Sequence, residues 1–387
     1  MTKNIKMYNE IIEFIRSEFK TDGFIPLHAP VFKGNEKTFL IETIDSTFVS
    51  SVGKFVDQFE DIVKEYTGSK FAIATVNGTA ALHMALLLAG VNKGDLVITQ
   101  SLSFVATCNA ISYLNADPLF IDIDKKTLGL SPAALEDFLK GHSYIKNGEC
   151  YHKDSGRRIQ ACVPMHTFGH PVEIDKIAEI CDRYLITLVE DSAESIGSFY
   201  KGSHTGTFGK IAAFSFNGNK TITCGGGGMI ITNDENLGKF GKHLTTQAKV
   251  PHRWDFVHDS IGYNYRLPNL NAALACAQME QLEIFIENKR ALSNSYINFF
   301  KDKSFQFVVE PENSRSNYWL NSLITKDFDE RNEFLTNLND AGIMSRPCWT
   351  LMHKLIMFNK CYRDDQVNAE WIEQRLVNIP SSVRSFI

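Results

Sequence analysis

Three polar segments follow β-rich runs and carry residue types that a catalytic site needs. Asn77-Gly78-Thr79 follows the run FAIATV and begins an apolar helical pattern. Glu190-Asp191 closes the run ITLVED, and Lys220 follows the run IAAFSF across a turn of small residues. Open α/β sheets bind their ligands beyond the carboxyl ends of the strands. The sequence therefore indicates that chemistry is to be sought in these three segments.

Each segment fits a chemical role and an ordinary structural one. The helix start at Gly78-Thr79 offers free N–H groups to a phosphate, although it is also a common turn and helix cap. Asp191 is a strand-end carboxylate or a salt-bridge partner, and Lys220 is an amine nucleophile or a solvated lysine. Together they meet the needs of pyridoxal phosphate (PLP), which requires a Schiff-base lysine, an acid at the pyridine nitrogen and a phosphate site. The combination predicts a PLP enzyme.

Several other classes of ligand are poorly supported. The order Gly218-Asn219-Lys220-Thr221 lacks the adjacent Gly-Lys of a P-loop, and the glycine run 225–228 does not open a strand-turn-helix unit for NAD. The eight cysteines form no CxxC pair and do not stand at metal-ligand spacing from histidine, so no metal site is predicted. Forty basic and 45 acidic residues give a net charge of −5, which offers no global attraction to nucleic acid or anionic membrane.

Alternating β-rich and helical patterns predict an α/β fold with a mainly parallel sheet. Helices are expected from about Ser103, from Ser131-Pro132 and over 173–185. The polar stretch 141–158 has no helical period and is predicted to be a surface hairpin or loop. The strands are expected at 71–76, 96–100, 118–123, 161–165, 186–191, 211–216 and 229–233.

The length of 387 residues and the 44% hydrophobic content allow a large core in more than one domain. We expect an amphipathic helix over 1–22, a large PLP-binding α/β domain over 23–285 and a small α+β domain over 286–387. The N-terminal helix should pack on a domain or on a partner subunit through its apolar face, which is formed by Ile5, Tyr8, Ile11, Ile12, Phe14 and Ile15. The pattern over 269–300 predicts two helices or one kinked helix. Neither a signal peptide nor a membrane span is evident, so a cytoplasmic location is expected.

From Ile25 to about Ser382 the chain resembles the DegT/DnrJ/EryC/StrS family of PLP-dependent sugar aminotransferases. The resemblance implies an aspartate-aminotransferase-like fold, fold type I. The pattern FNGNK…GGGGM, residues 312–317 and the RPxW element are similar to the branch that makes bacillosamine and legionaminic acid precursors. The motifs that carry the family resemblance are GKFVDQFE at 53–60, NGTAALH at 77–83, SFVATCNAI at 103–111, HTFGHPVEID at 166–175, VEDSAESIGSFYKG at 189–202, FSFNGNK at 214–220, GYNYRLPNLNAA at 262–273 and RPCWTLMH at 346–353.

The resemblance implies a role for each matching position. Lys220 would form the Schiff base with PLP and move a proton, and Asp191 would pair with the pyridinium nitrogen. Phe104 would stack on the cofactor ring. Asn264 would reach the phosphate from the neighbouring subunit, so a homodimer with shared active sites is expected. The other phosphate contacts would come from Ser215, Gly78 and Thr79.

Glu194 departs from the family pattern, because relatives often have Gln or His at this position near the phenolic oxygen of the cofactor. Two loops resemble segments that line the nucleotide-sugar site. They would contribute Thr47 and Ser50 from one loop, and Arg315 and Asn317 from the other.

The implied reaction transfers an amino group from L-glutamate to C4 of a UDP- or GDP-linked 4-keto-6-deoxy-N-acetylhexosamine, for bacterial surface-glycan or nonulosonic acid biosynthesis. Lys220 favours transamination over the family's dehydratases, in which histidine replaces this lysine. The alternatives are a 3-keto sugar nucleotide as substrate, or a non-catalytic sugar-nucleotide-binding member of the fold. The sequence leaves open the nucleotide, the sugar configuration, the orientation of the new amine, assembly beyond a dimer and the role of 141–158.

Overall fold

Twelve α-helices and sixteen β-strands form the part of the chain that the structure describes. This computed structural model describes the backbone of residues 2–384 and the side chains of residues 6–384. The helices are α1 Thr2–Phe19, α2 Glu36–Asp45, α3 Lys54–Thr67, α4 Gly78–Leu88, α5 Val105–Tyr113, α6 Pro132–His142, α7 Ile174–Tyr184, α8 Glu235–Thr245, α9 Asn269–Met279, α10 Leu282–Phe300, α11 Phe328–Asp340 and α12 Val367–Glu373. The strands are β1 Phe71–Thr75, β2 Leu96–Gln100, β3 Asp117–Ile121, β4 Ser143–Lys146, β5 Glu149–His152, β6 Ile159–Val163, β7 Thr187–Asp191, β8 Phe199–Tyr200, β9 Ser203–His204, β10 Ile211–Ser215, β11 Gly228–Thr232, β12 Gln306–Phe307, β13 Ser314–Arg315, β14 Asn321–Ile324, β15 Arg346–Pro347 and β16 Leu376–Ile379.

A seven-stranded sheet in the order β1-β11-β10-β7-β6-β2-β3 forms the centre of the large unit. The neighbouring pairs from β10 to β3 are parallel, whereas β11 runs antiparallel to both β1 and β10. Helices cover both faces, which explains why β2 and β11 are buried along their whole length. The predicted α/β fold with a mainly parallel sheet is confirmed.

The bounds of several elements differ from the predicted ones for local reasons. Helix α5 begins at Val105 because Phe104, its N-cap, is extended. Strand β6 covers 159–163 rather than 161–165, because Pro164 has no N–H to continue the ladder. The predicted hairpin within 141–158 is present as β4 and β5, joined at Asn147-Gly148. Both turn residues have positive φ, which is the conformation that Asn-Gly favours in a tight hairpin.

Helix α1 packs on the C-terminal unit rather than on the seven-stranded sheet. Tyr8, Ile11 and Ile15 are buried in a core shared with α10 and α11, where the Tyr8 ring meets Phe334 edge to face at 6.1 Å. The side chain of Ile5, which also belongs to the predicted apolar face, lies outside the described residues, as do residue 1 and residues 385–387. Within residues 2–384, no helix is long and apolar enough to cross a membrane.

The C-terminal unit combines helices α11 and α12 with a four-stranded sheet in the order β12-β14-β16-β15. The helical pattern over 269–300 resolves into two helices, α9 and α10, with a break at Glu280-Gln281. The expectation of a smaller α+β unit after the large one is therefore met, while the exact domain boundaries stay a prediction.

Candidate active site

A pocket of about 300 Å³ lies beyond the carboxyl ends of the central strands. The start of α4, the start of α5, the ends of β7 and β10 and the turn after β10 surround it, and two tryptophans from the C-terminal part of the chain complete it. Seven of the eight predicted cofactor residues line this pocket: Gly78, Thr79, Phe104, Asp191, Glu194, Ser215 and Lys220. Residues that are far apart in sequence thus meet at one sheet edge, as the strand-end argument requires.

The start of α4 lies directly against the end of β10. Asn77 caps the helix by accepting a hydrogen bond from the Ala80 N–H at 2.8 Å. A Cβ atom placed on Gly78 would lie 2.7 Å from the Cβ of Ser215, so only glycine allows this close approach. The helix dipole and the terminal N–H groups make the junction suitable for a phosphate group. This cradle fits the phosphate of PLP.

Asp191 ends β7 and is almost fully buried. Its Oδ2 accepts a hydrogen bond from the Thr107 hydroxyl at 2.6 Å, and its Oδ1 accepts one from the Ala193 N–H at 3.1 Å. Burial raises the pKa of Asp191, whereas the hydrogen bond from Thr107 acts in the opposite direction. A protonated pyridine nitrogen is the kind of cation that would stabilise this carboxylate. Thr107 was not among the predicted site residues, although it stands three positions after Phe104 and thus about one helical turn along α5.

Lys220 contacts both a carboxyl group and an indole ring. Its side chain is 12% exposed, and its Nζ is 3.2 Å from Oε1 of Glu194 and 4.0 Å from the ring centroid of Trp319. The other carboxyl oxygen of Glu194 accepts the Phe168 N–H at 2.8 Å. Burial raises the pKa of Glu194 to about 7, against the opposing effect of the Lys220 charge. Glu194 can therefore hold or release a proton near neutral pH beside the lysine amine.

Aromatic rings form the remaining wall of the pocket. The half-exposed Phe104 ring is 6.2 Å from Trp349, which in turn lies 5.0 Å from Phe168. Trp319 donates its indole N–H to the carbonyl of Asn219 at 2.6 Å, next to the reactive lysine. Neither tryptophan was among the predicted site residues, and no spacing connects them to the strand ends.

Three of the predicted positions are exposed and lie outside the pocket lining of a single chain. Thr47 and Ser50 belong to the loop after α2, where the carbonyl of Ser50 accepts the Asn269 N–H at 2.6 Å. Asn264 lies in the segment before α9, and its side-chain oxygen accepts a hydrogen bond from Arg266 at 3.2 Å. These positions are open to a partner molecule.

Arg315 is also outside the pocket lining. Its guanidinium pairs with Glu283 at 2.8 Å and with Glu287 at 2.9 Å, and it donates to the carbonyl of Gly197 at 3.4 Å. The predicted contact with a substrate diphosphate would have to compete with these two carboxylates.

Asn317, predicted as a substrate contact, is fully buried and has an internal role. Its amide nitrogen donates to the carbonyls of Glu194 and Ile196, both at 2.9 Å, and its oxygen accepts the Trp319 N–H at 2.8 Å. These bonds occupy the amide, so Asn317 supports the pocket from behind instead of lining it.

The described side chains, residues 6–384, contain no group of three or more His, Cys, Asp or Glu that could hold a metal ion. A larger pocket of about 490 Å³ lies beside α6 and residues 362–366, and none of the predicted site residues lines it. The catalytic features are thus concentrated in the smaller pocket.

The mainly parallel sheet, the lysine after β10, the aspartate that ends β7 and the helix start at Gly78 define a PLP-dependent enzyme of fold type I. Residues 31–385 match the DegT/DnrJ/EryC1/StrS aminotransferase family, and the chain belongs to this family. It is therefore a PLP-dependent aminotransferase.

Relatives and solved structures agree with this assignment. The chain is 36% identical over 358 residues to a GDP-perosamine synthase of Escherichia coli O157:H7, covering 92% of this chain and 93% of the relative. It is also 36% identical over 336 residues to the putative pyridoxal phosphate-dependent aminotransferase EpsN of Bacillus subtilis strain 168, covering 87% and 84%. A DegT/DnrJ/EryC1/StrS aminotransferase structure from Brucella abortus superposes with a TM-score of 0.80 at 25% identity, covering 90% of each chain.

The substitution Gly78→Ala should weaken PLP binding about tenfold, because the added methyl group forces the start of α4 away from Ser215. The dissociation constant of PLP, measured by absorbance titration, tests this expectation. Gly141→Ala is the matched control, since a methyl group there meets no atom within 4 Å. Equal affinities of the Gly78→Ala variant and the wild type would contradict the proposed cradle.

The stability of the cofactor-free protein should depend on pH through Glu194. Its pKa is about 7 in the folded protein and 4.5 ordinarily, so between these values the folded state binds more protons than the unfolded state. The free energy of unfolding should therefore fall as pH rises through this window, by up to about 3 kcal/mol from this group. Glu194→Gln should lack this part of the fall in urea unfolding at pH 5 and pH 8. Glu13→Gln, at an exposed position, serves as control. An identical fall in the free energy of unfolding between pH 5 and pH 8 for all three proteins would refute the raised pKa of Glu194.

Proposed function

We propose that this sugar aminotransferase moves an amino group from L-glutamate to C4 of a nucleotide-linked 4-keto-6-deoxyhexose. The observation that carries the proposal is that Lys220, Asp191 and the helix start at Gly78 line one pocket. A non-catalytic binding protein would have no need of the buried acid and the lysine together.

In this proposal PLP, when bound, would supply an electrophilic aldehyde and a ring that accepts electrons, and Lys220 would hold it at the aldehyde. Asp191 would hold the pyridine nitrogen protonated, and Phe104 would contact the cofactor ring. The Lys220 amine would carry a proton to and from the reacting carbon. The phosphate is held by Ser215, Gly78 and Thr79.

Glu194 would lie near the phenolic oxygen of the cofactor, and we propose that it also exchanges a proton with Lys220. Its carboxyl group lies 3.2 Å from the Lys220 amine, and its raised pKa lets it exchange a proton at neutral pH. We infer that Glu194 sets the protonation state of Lys220 between the two halves of the transfer. A glutamine at this position could donate a hydrogen bond but could not take up a proton.

The nucleotide in the proposal is GDP, because two relatives at 36% and 33% identity are named GDP-perosamine synthase. The similarity to the bacillosamine and legionaminic acid branch favours a sugar with a 2-acetamido group. The test therefore compares sugars with and without this group. Thr47, Ser50 and Arg315 are proposed to contact the nucleotide sugar, with Arg315 exchanging its carboxylate partners for the diphosphate. A 3-keto sugar is the alternative acceptor.

The spectrum of the PLP-loaded protein tests the whole proposal. L-Glutamate should bleach the visible absorbance of the bound cofactor, and the correct acceptor should restore it. The acceptors to compare are GDP- and UDP-linked 4-keto-6-deoxy sugars, with and without a 2-acetamido group, and a 3-keto sugar nucleotide. Lys220→Ala should lose both the absorbance and turnover. Bleaching without recovery would exclude the tested acceptors, and the absence of bleaching would refute glutamate as donor.

We also propose that the enzyme is a homodimer in which Asn264 completes the partner's active site. Asn264 is exposed, and the neighbouring segment presents several large apolar side chains to solvent, as an interface would. The largely exposed residues of this segment are Trp254, Phe256, Val257 and Ile261.

Mixing two inactive variants tests the shared site. Lys220→Ala and Asn264→Ala dimers should each be nearly inactive, whereas equal mixing should restore about a quarter of wild-type activity. The reason is that half of the dimers would then be mixed, each with one intact site and one doubly altered site. Turnover after subunit exchange is the measurement. A mixture that stays inactive although mixed dimers are detected by mass spectrometry would refute the shared site.

A further inference from the structure

Lys289 of α10 is a fully buried lysine whose hydrogen-bond partners are backbone carbonyls. Its ammonium donates to the carbonyl of Trp319 at 3.2 Å and to the carbonyl of Ser381. None of the ion pairs found among the described residues includes it. Fully buried lysines are rare unless they are paired, because desolvation of the charge is costly. The energetic cost of burying Lys289 makes this residue a candidate for a functional role.

The contacts of Trp319 connect this buried charge to the pocket. The Trp319 ring centroid is 4.0 Å from the Nζ of Lys220, and the indole N–H donates to the carbonyl of Asn219, the residue before that lysine. The backbone of Trp319 is held by Lys289, and its ring contacts the turn that carries Lys220. A displacement of the Trp319 backbone would therefore change the surroundings of the reactive amine.

We propose that Lys289 is a positioning residue for the reactive lysine. Lys289 donates hydrogen bonds to the carbonyls of both Trp319 and Ser381. It thereby fixes the indole ring that contacts the Lys220 amine. This inference rests on the proposed function of Lys220, and it concerns a residue that touches neither cofactor nor substrate.

The charged groups around Lys289 support a dependence on pH. Burial lowers the pKa of Lys289 to about 7. From the segment before α2, His28 has two buried ring nitrogens without hydrogen-bond partners, and its pKa is lowered by burial and by the charges of Lys289 and Lys220. On the side of α1 and the C-terminal segment, Glu18 and Arg384 pair with each other.

The strength of the attachment therefore depends on the charge of Lys289. Below pH 7 its charged ammonium makes charge-assisted hydrogen bonds, which are about twice as strong as neutral ones. Above pH 7 the neutral amine holds Trp319 more weakly. Glu194, which contacts Lys220 directly, also titrates near pH 7, so its contribution must be removed in any test.

The test uses the full chain labelled with 5-fluorotryptophan and observed by ¹⁹F NMR from pH 6 to pH 9. Comparison with Trp319→Phe assigns one resonance among those of the four tryptophans. In a Glu194→Gln background, the Trp319 resonance should shift with a midpoint near pH 7. Lys289→Met, which keeps the side-chain length, should move this resonance and abolish its titration. Lys301→Met, exposed just beyond the end of α10, is the matched control.

Kinetics supply the second measurement. With Glu194 intact, Lys289→Met should lower kcat about tenfold and leave the KM for L-glutamate within about twofold, because the variant displaces the lysine environment and not the donor site. An unchanged Trp319 resonance, or an unchanged kcat, overturns the proposal. If Lys289→Met does not fold, a resonance that stays constant over the pH range in the Glu194→Gln protein overturns it. A protein without turnover on any sugar refutes the proposed function, whereas the NMR result stands independently.

Discussion

The buried amide of Asn317 is the contact on which the geometry of the pocket depends. It joins the C-terminal segment to the carbonyls of Glu194 and Ile196, and at the same time orders the backbone of Trp319. Gly169 makes room for this amide, since a Cβ there would lie 1.9 Å from the Asn317 oxygen. The carboxyl group of Glu194 lies 3.2 Å and the ring centroid of Trp319 lies 4.0 Å from the lysine amine, so this internal amide contacts the backbone of both neighbours of Lys220.

The sequence predicts the large sheet well because its signals are local. Each buried parallel strand is a short apolar run, and each following helix has a cap or a periodic apolar face, as at Ser131-Pro132. The antiparallel direction of β11 is not visible in its sequence, because a fully buried strand has the same composition in either direction. The partner of α1 was also beyond prediction. Its apolar face is clear in the sequence, but the choice of the C-terminal core as its partner is set by tertiary packing.

The residues of the candidate site also divide into those with a local sequence signal and those placed by tertiary packing. Residues that follow a strand, such as Asp191 and Lys220, can be found from the strand alone. Trp319 and Trp349 belong to the C-terminal part of the chain and follow no strand of the large sheet. Their place in the pocket therefore could not be predicted from the strand ends. Asn317 shows the limit of a motif that is interpreted without geometry, because its amide faces the protein interior and does not line the pocket. The proposed role of the exposed Asn264 depends on a second subunit, and the position of that subunit cannot be predicted from the sequence of one chain.

Burial determines how protons are distributed in the pocket. Asp191 and Glu194 are both withdrawn from water, which disfavours their charged forms, and among the described side chains Lys220 is the cation that acts on both. One lysine cannot fully compensate two buried carboxylates. The direct contact of Lys220 is with Glu194, so Asp191 requires a different cation for full ionisation, and a protonated pyridine nitrogen has that charge. The same pocket therefore separates its two acids by environment, one suited to a permanent charge and one suited to exchanging a proton.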